Sequence, residues 1–251
     1  MLKKLFMSFK SIFTTLLLLA GIAATAQTKT VDRFTKVIVS PYIQATFVQG
    51  TEESVTIDNI KVDESKLHIE VNNQTLRIYL EGAKDYPKYE KDNSNGYEES
   101  HPLYQNRSVV VTVTYRTLTD LSLRGEETHL CKSAITATTF TLKIYGESDV
   151  TFNELNAQEL ETTIYGEAEL NLKAGSVKDQ QYTCYGEGRI NSESILGNTS
   201  RIIAYGDADL TLNVSDRIKI TAYGDAKLHY KGDPEIVKGL HFGDMQIDRI
   251  D

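Results

Sequence analysis

The sequence predicts an all-β protein built as a parallel β-helix of about seven rungs of about 20 residues, after a less regular β-rich start. Three observations carry this. Five late stretches, IYGESDV, IYGEAEL, CYGEGRI, AYGDADL and AYGDAKL, repeat a tyrosine, a glycine and an acid in one order. Their glycines stand at 146, 166, 186, 206 and 224, at steps of 20, 20, 20 and 18. A fixed period near twenty is the mark of a solenoid. Apolar residues alternate before each corner, as Leu142 and Ile144 do, and after it, as Val150 and Phe152 do. Alternation means strands with one buried face. The connecting pieces carry Thr, Asn and Ser and are too short for helices, and the leucine-rich repeat pattern LxxLxLxxN is missing.

Taken in order, the chain opens with a targeting segment. Lys3, Lys4 and Lys10 give a positive start, Ile12 to Ala24 an uncharged apolar run, and Ala24-Thr25-Ala26 a small-x-small cleavage site. Residues 1–26 therefore read as a signal peptide. The run is shorter than the ~20 apolar residues a membrane span needs, and no later apolar run would hold the protein in a membrane. Export to the periplasm, cell surface or medium follows. Residues 27–251 read as one β-helical domain. The whole chain carries a formal charge of -8, and the removed segment holds only positive charges. So acidic an exported chain is a poor partner for nucleic acid.

FTKVIV, YIQATFVQG, SVTIDN, KLHIEV and TLRIYL are short alternating strands, with a tight turn expected at Asn72-Asn73. Residues 81–108 are polar, tyrosine-rich and aperiodic, and read as a disordered or plain surface loop in preference to a binding loop. VVVTVTY resumes the strands and leads into the rungs. Degraded units at Gly125 and Gly243 extend the pattern by steps of 21 and 19. Glycine suits a sharp corner because it reaches φ > 0 without a steric penalty. The general preference for right-handed crossovers predicts a right-handed coil. Cys131 and Cys184 lie three rungs apart, roughly 14 Å at a ~4.8 Å rung spacing. That is too far for a disulfide, and Cys184 shares the inward column of Ile144 and Ile164.

The opening VDRFTKVIVSPYIQATFVQGTEESVTI, the hairpin, the VTVTYRTLTDLSLRG passage and the strand–Gly corner–strand rungs resemble the bacterial "head GIN domain" family, common in Bacteroidetes, whose members are labelled "putative auto-transporter adhesin" and whose function is undetermined. The resemblance runs from about Val31 to the C-terminus. It implies an exported β-helix and brings no catalytic residues. One departure concerns the corners, which in the family are Gly-Ser-Gly-Asp-like and follow a small residue. Here Tyr145, Tyr165, Tyr185, Tyr205 and Tyr223 take the place of that small residue, and Glu or Asp that of the serine.

By strand parity these tyrosines point outward, with Arg124 at the upstream end of their column and Phe242 downstream. They could be a stacking ladder or a platform for sugar rings. The acids Glu126, Glu147, Glu167, Glu187, Asp207, Asp225 and Asp244 form a second column. Neighbours ~5 Å apart repel by ~1–3 kcal/mol in surroundings between water and a protein surface. The column two residues on, Glu169, Arg189, Asp209 and Lys227, alternates in sign instead. The acids either splay into water or, at Glu147, Glu167, Glu187, Asp207 and Asp225, hold bridging Ca²⁺ weakly; no other cofactor is implied. Enzyme motifs are missing: no HExxH, no GxSxG, no singled-out carboxylate pair for a glycosidase, and scattered histidines. The residues point to a non-enzymatic surface-binding protein with a glycan or another envelope ligand. The alternatives are a structural envelope protein and, further off, a polysaccharide-active enzyme.

Overall fold

The computed structural model describes residues 27–92 and 99–251. The expected signal peptide lies outside the described residues. Strands β1 (Gln27–Thr30), β2 (Lys36–Val39), β3 (Ile43–Gln49) and β4 (Ser54–Ile60) come first. A hairpin of β5 (Leu67–Asn72) and β6 (Thr75–Leu80) follows, then β7 (Tyr89–Asp92), β8 (Glu99–Pro102) and β9 (Val109–Tyr115). The regular part holds β10 (Asp120–Gly125), β11 (His129–Cys131), β12 (Ile135–Gly146), β13 (Asp149–Phe152), β14 (Leu155–Gly166) and β15 (Glu169–Leu172). It continues through β16 (Gly175–Gly186), β17 (Gly188–Tyr205), β18 (Ala208–Tyr223), β19 (Ala226–Lys231), β20 (Glu235–Phe242) and β21 (Met245–Arg249). Nineteen of these strands form one sheet wound into a solenoid, and β7 pairs with β8 separately.

The strands before each corner stack in parallel, β10 on β12, β14 and β16, and so do those after it, β11 on β13 and β15. Equivalent apolar residues therefore meet directly. Leu123, Ile144, Ile164, Cys184 and Ala204 make one inward ladder, every member buried. β12 pairs with β14 at Ala137–Ala157 and again at Thr139–Glu159, skipping Thr138 and Gln158. The ladder is interrupted at the same place in both strands. The 18-residue step has a local cause. The register between β17 and β18 shifts between Ser192 and Thr199, opposite the shorter stretch Leu212–Arg217, on the side away from the tyrosine corner.

The irregular start proves to belong to the coil, stacked out of chain order. β2 lies between β6 and β10, and β3 between β9 and β11. Burial explains the placement: Val37 lies between Leu76 and Leu121, and Val39 between Ile78 and Leu123, with all six side chains inside. VVVTVTY leads along the chain into β10, but in space it stacks on β3. β4 and β5 run antiparallel to β9 and β6 and end the parallel stack. The hairpin turn sits one residue later than expected, at Asn73 and Gln74, both at positive φ (+50° and +60°). At the other end, Lys238 and His241 take the inward columns of Ile220 and Ala222, and both are exposed. Polar groups there keep the last rung from presenting a purely apolar core.

Cys131 and Cys184 are both free and buried. They lie in different ladders as well as different rungs, Cys131 beside Phe47 and Phe152 and Cys184 beside Ile164 and Ala204. Burial pushes the Cys184 thiol up to about 12, so it packs as a small apolar group.

All seven corner glycines have positive φ, between +105° and +143°. Space is as restrictive as φ. A Cβ on Gly146 would lie 2.3 Å from the carbonyl oxygen of Gly125, and one on Gly186 would lie 2.6 Å from that of Gly166. Gly186→Val should therefore cost on the order of 3 kcal/mol from strain alone, a melting temperature lower by roughly 6–12 °C. A variant melting with the wild type would remove the corner from the list of things the fold needs.

His129 is fully enclosed and accepts the backbone N–H of Ala45 at Nδ1, 3.3 Å away. Burial lowers its pKa to about 3, so the folded protein keeps it neutral where the unfolded chain protonates it. Its contribution is intact above about pH 6.5 and is lost as the pH falls toward 3. By linkage this amounts to about 2 kcal/mol between pH 6.5 and 5. Thermal melts across that interval should show the loss in the wild type and a flatter profile in His129→Leu; parallel profiles would refute it.

Candidate functional site: the tyrosine–glycine–acid corner

Each tyrosine corner is made by a strand that ends at the tyrosine or at the glycine after it and a strand that begins two or three residues later. The positive φ of the glycine turns the chain, and the parallel register then puts each tyrosine on the next. Tyr145, Tyr165, Tyr185, Tyr205 and Tyr223 stack with ring centroids 4.8–5.1 Å apart and planes within 4°. Phe242 continues the stack at 5.8 Å. At the upstream end the guanidinium of Arg124 lies over Tyr145, 5.3 Å from the ring centroid. All five sequence-predicted tyrosines therefore come together on the outside of the coil, each about two-fifths exposed from Tyr165 to Tyr223. Every interior ring has a neighbour on both faces. The column presents ring edges and phenol hydroxyls, more than the open faces a flat sugar platform would need.

Glu147, Glu167, Glu187, Asp207 and Asp225 lie beside the rings in their own column, with Glu126 before and Asp244 after, and all seven are exposed. The backbone N–H groups of Glu147 and Glu167 donate to the glycine carbonyls of the preceding rung, at 3.0 and 3.1 Å. Downstream the pattern changes with the shorter side chain. Oδ1 of Asp207 accepts the N–H of Asp225 (3.4 Å), and Oδ1 of Asp225 accepts that of Asp244 (2.9 Å). An aspartate reaches the next rung's backbone, which relieves part of the repulsion along the column. The neighbouring column is in register as expected, Glu169 beside Arg189, Arg189 beside Asp209 and Asp209 beside Lys227, so its signs alternate from Glu169 on; upstream, Asp149 lies beside Glu169. Among the described residues no group of three or more His, Cys, Asp or Glu side chains is placed to hold a metal. An ion on the acid column would have two carboxylates from the protein, with water supplying the rest of the six to eight oxygens calcium takes.

The loop 81–108 is where the sequence says least and the structure adds most. It joins β6 to β9, so it stands at the corner position of the terminal rung, on the same edge as the tyrosines. Its described residues are tied down. Arg124 donates to Oδ1 of Asp85 at 2.7 Å, and Arg77 pairs with the same carboxylate. Those guanidiniums, Arg77 first, hold the Asp85 carboxyl below its usual range. Ser40 Oγ donates to the carbonyl of Lys84 (2.6 Å), Tyr104 OH to that of Glu81 (2.8 Å), and Asn106 Nδ2 to Oε2 of Glu126 (3.0 Å). Beneath it, Glu127 occupies the inward position that Ser148, Ala168 and Gly188 hold in later rungs. Burial raises its pKa, opposed by the backbone N–H groups of Glu126, Arg107 and Tyr42. Tyr86, Tyr89, Asn106 and Glu127 were not among the expected site residues. Only the loop's place between two paired strands could have pointed to them, and that place depends on the out-of-order stacking.

The model of the family described as "Putative auto-transporter adhesin, head GIN domain" matches residues 33–234. No curated protein matches the chain. Three crystal structures share the fold. A "putative adhesin" from Bacteroides fragilis NCTC 9343 is 20% identical with a TM-score of 0.69, over 90% of this chain and 96% of that one. One from Parabacteroides merdae ATCC 43184 is 17% identical with a TM-score of 0.62, over 90% and 96%. A "putative lipid binding protein" from Parabacteroides distasonis ATCC 8503 is 17% identical with a TM-score of 0.59, over 91% and 98%. At such identities the neighbours establish the β-solenoid fold, and the family match over most of the chain establishes the kinship: the protein belongs to the head GIN domain family.

Proposed function

We propose that the protein is exported, through the signal peptide expected at residues 1–26, and works without catalysis as an adhesin. It holds a glycan or another envelope molecule along the tyrosine–acid corner, in the periplasm or at the cell surface. One observation carries this. Stacked phenols and parallel carboxylates run unbroken over five rungs on one exposed edge. Stacking alone could be structural, at ~0.5–1.5 kcal/mol per pair. A like-charged column beside it works against stability by a similar amount. The neighbouring column shows that the coil can alternate signs, so an unneutralised row is better explained by something it binds. Phenol hydroxyls and carboxylates offer hydrogen bonds to a polyol along a repeat of ~4.8 Å. The lipid-binding description belongs to a neighbour that is similar in fold alone, and an acidic row is ill suited to phosphate headgroups. No helix among the described residues is long and apolar enough to cross a membrane.

Changing Tyr165, Tyr185 and Tyr205 together to Ser should abolish glycan binding on an array while the circular dichroism spectrum remains β-rich. If the variant only melts earlier and the wild type retains no glycan, the row is a structural ladder.

Calcium gives a second test. The assembled column would bind it and the unfolded chain would not, so millimolar Ca²⁺ should raise the melting temperature by mass action. Glu147, Glu167 and Glu187 changed together to Gln should erase that response, and without calcium should be no less stable than the wild type. Melts at constant ionic strength, with magnesium as control, decide it. A wild type indifferent to both ions leaves the carboxylates as a solvated edge.

A further inference from the structure

The tyrosine row is a ridge, and a ridge by itself gives a ligand no enclosure. Enclosure appears where the 81–108 loop meets the upstream end of the row. A hollow of about 300 Å³ opens there, walled by Tyr86 and Pro87 from the loop and by Tyr145, Glu126 and Glu147 from the corners. A second hollow of about 240 Å³ shares Pro87 and Glu126 with it and adds Tyr89 and Asn106. The two adjoin along Pro41, Pro87, Gly125 and Glu126 and are treated as one cleft, whose larger part lies at the lower end of the ~300–1,000 Å³ range of ligand pockets.

We infer that this cleft is the binding site for the end of an uncharged saccharide chain, whose following units run along the tyrosine row. The site rests on the surface-binding role proposed above and gives it a location and a ligand class. Three observations select that class. Tyr86 and Tyr89 are the most exposed tyrosines among the described residues, at 66% and 58%. Unlike the rings of the row, neither stacks on another ring among the described residues, so each offers a face to the apolar side of a sugar ring. Among the described residues, the Glu147 carboxylate and the second carboxylate oxygen of Glu126 accept no hydrogen bond, and both residues line the hollow. They are acceptors for hydroxyl donors. The one cation in the wall, Arg124, is already engaged by the Tyr145 ring and the Asp85 carboxylate. Among the described residues lining the hollow, a carboxylated or sulfated sugar would meet two carboxylates and no cation besides Arg124.

The anchorage of the loop makes the cleft a built feature. Asp85 is held by two arginines, one from β6 and one from β10, the strands that flank β2, and Tyr86 and Pro87 follow it directly. The wall is thus set by the same register that stacks the tyrosines, and less has to be ordered when a ligand arrives.

The test uses the mature protein on an array of immobilised neutral, amine-bearing, and carboxylated or sulfated oligosaccharides. Wild type should retain neutral members. Tyr86→Ala and Glu147→Gln, made singly, should each weaken retention at least tenfold. Both side chains are at the surface, so the melting temperature should stay within about 2 °C, which separates lost binding from lost folding. Wild-type binding that both variants keep overturns the cleft and leaves the surface-binding role standing. Retention of only acidic or only amine-bearing members overturns the ligand class. A wild type that retains nothing overturns the surface-binding role and the cleft with it.

Discussion

The close approach of successive corners governs this protein. Backbone meets backbone there so tightly that a single added carbon on Gly146 would fall within 2.3 Å of the previous rung's carbonyl. Everything outward of that contact inherits its spacing. The tyrosines stack because their backbones are held at rung separation, and the carboxylates line up for the same reason, although their charges oppose it. The acids do not set the geometry. They tolerate it, and at the Asp end they recover part of the cost by accepting the next rung's N–H.

The start of the chain obeys the same constraint by a different route. A parallel solenoid has two raw ends, and each exposes strand edges that invite further pairing. The upstream end is closed by antiparallel strands, which cannot propagate a parallel coil. The downstream end carries a lysine and a histidine in columns that are apolar elsewhere. Placing β2 and β3 inside the stack, instead of at its edge, puts the loop-bearing rung at the terminus. There a long corner insertion can spread without colliding with a rung beyond it.

The regular rungs were legible because their signal is periodic and local: the glycine interval, the alternation of Leu142 and Ile144, and the outward parity of the tyrosines can each be read off the letters. The start was not, because nothing in Val37 or Val39 says that their neighbours will be Leu76 and Leu121, far along the chain. Those pairings depend on a topology in which chain order and spatial order differ. The loop suffered most. Its residues have no period, so their proximity to Glu126 and Tyr145 follows only after the order of the rungs is known. Tight packing of tyrosine faces was likewise implicit in the rung spacing, yet parity alone could not say whether the rings would splay or lie flat upon one another.

The stacked column also gives the protein a spectroscopic identity. The chain has no tryptophan, so its near-ultraviolet absorption is that of tyrosine, and five of those chromophores are locked nearly parallel at close range. Transition dipoles held in this way couple electronically, and their near-ultraviolet circular dichroism carries the handedness of the array. Of the 14 tyrosines, these five supply the coupled part of the optical signal, which reports on the stacked edge. A slight change in the pitch or tilt of the rings would register there even if the backbone coil beneath kept its shape.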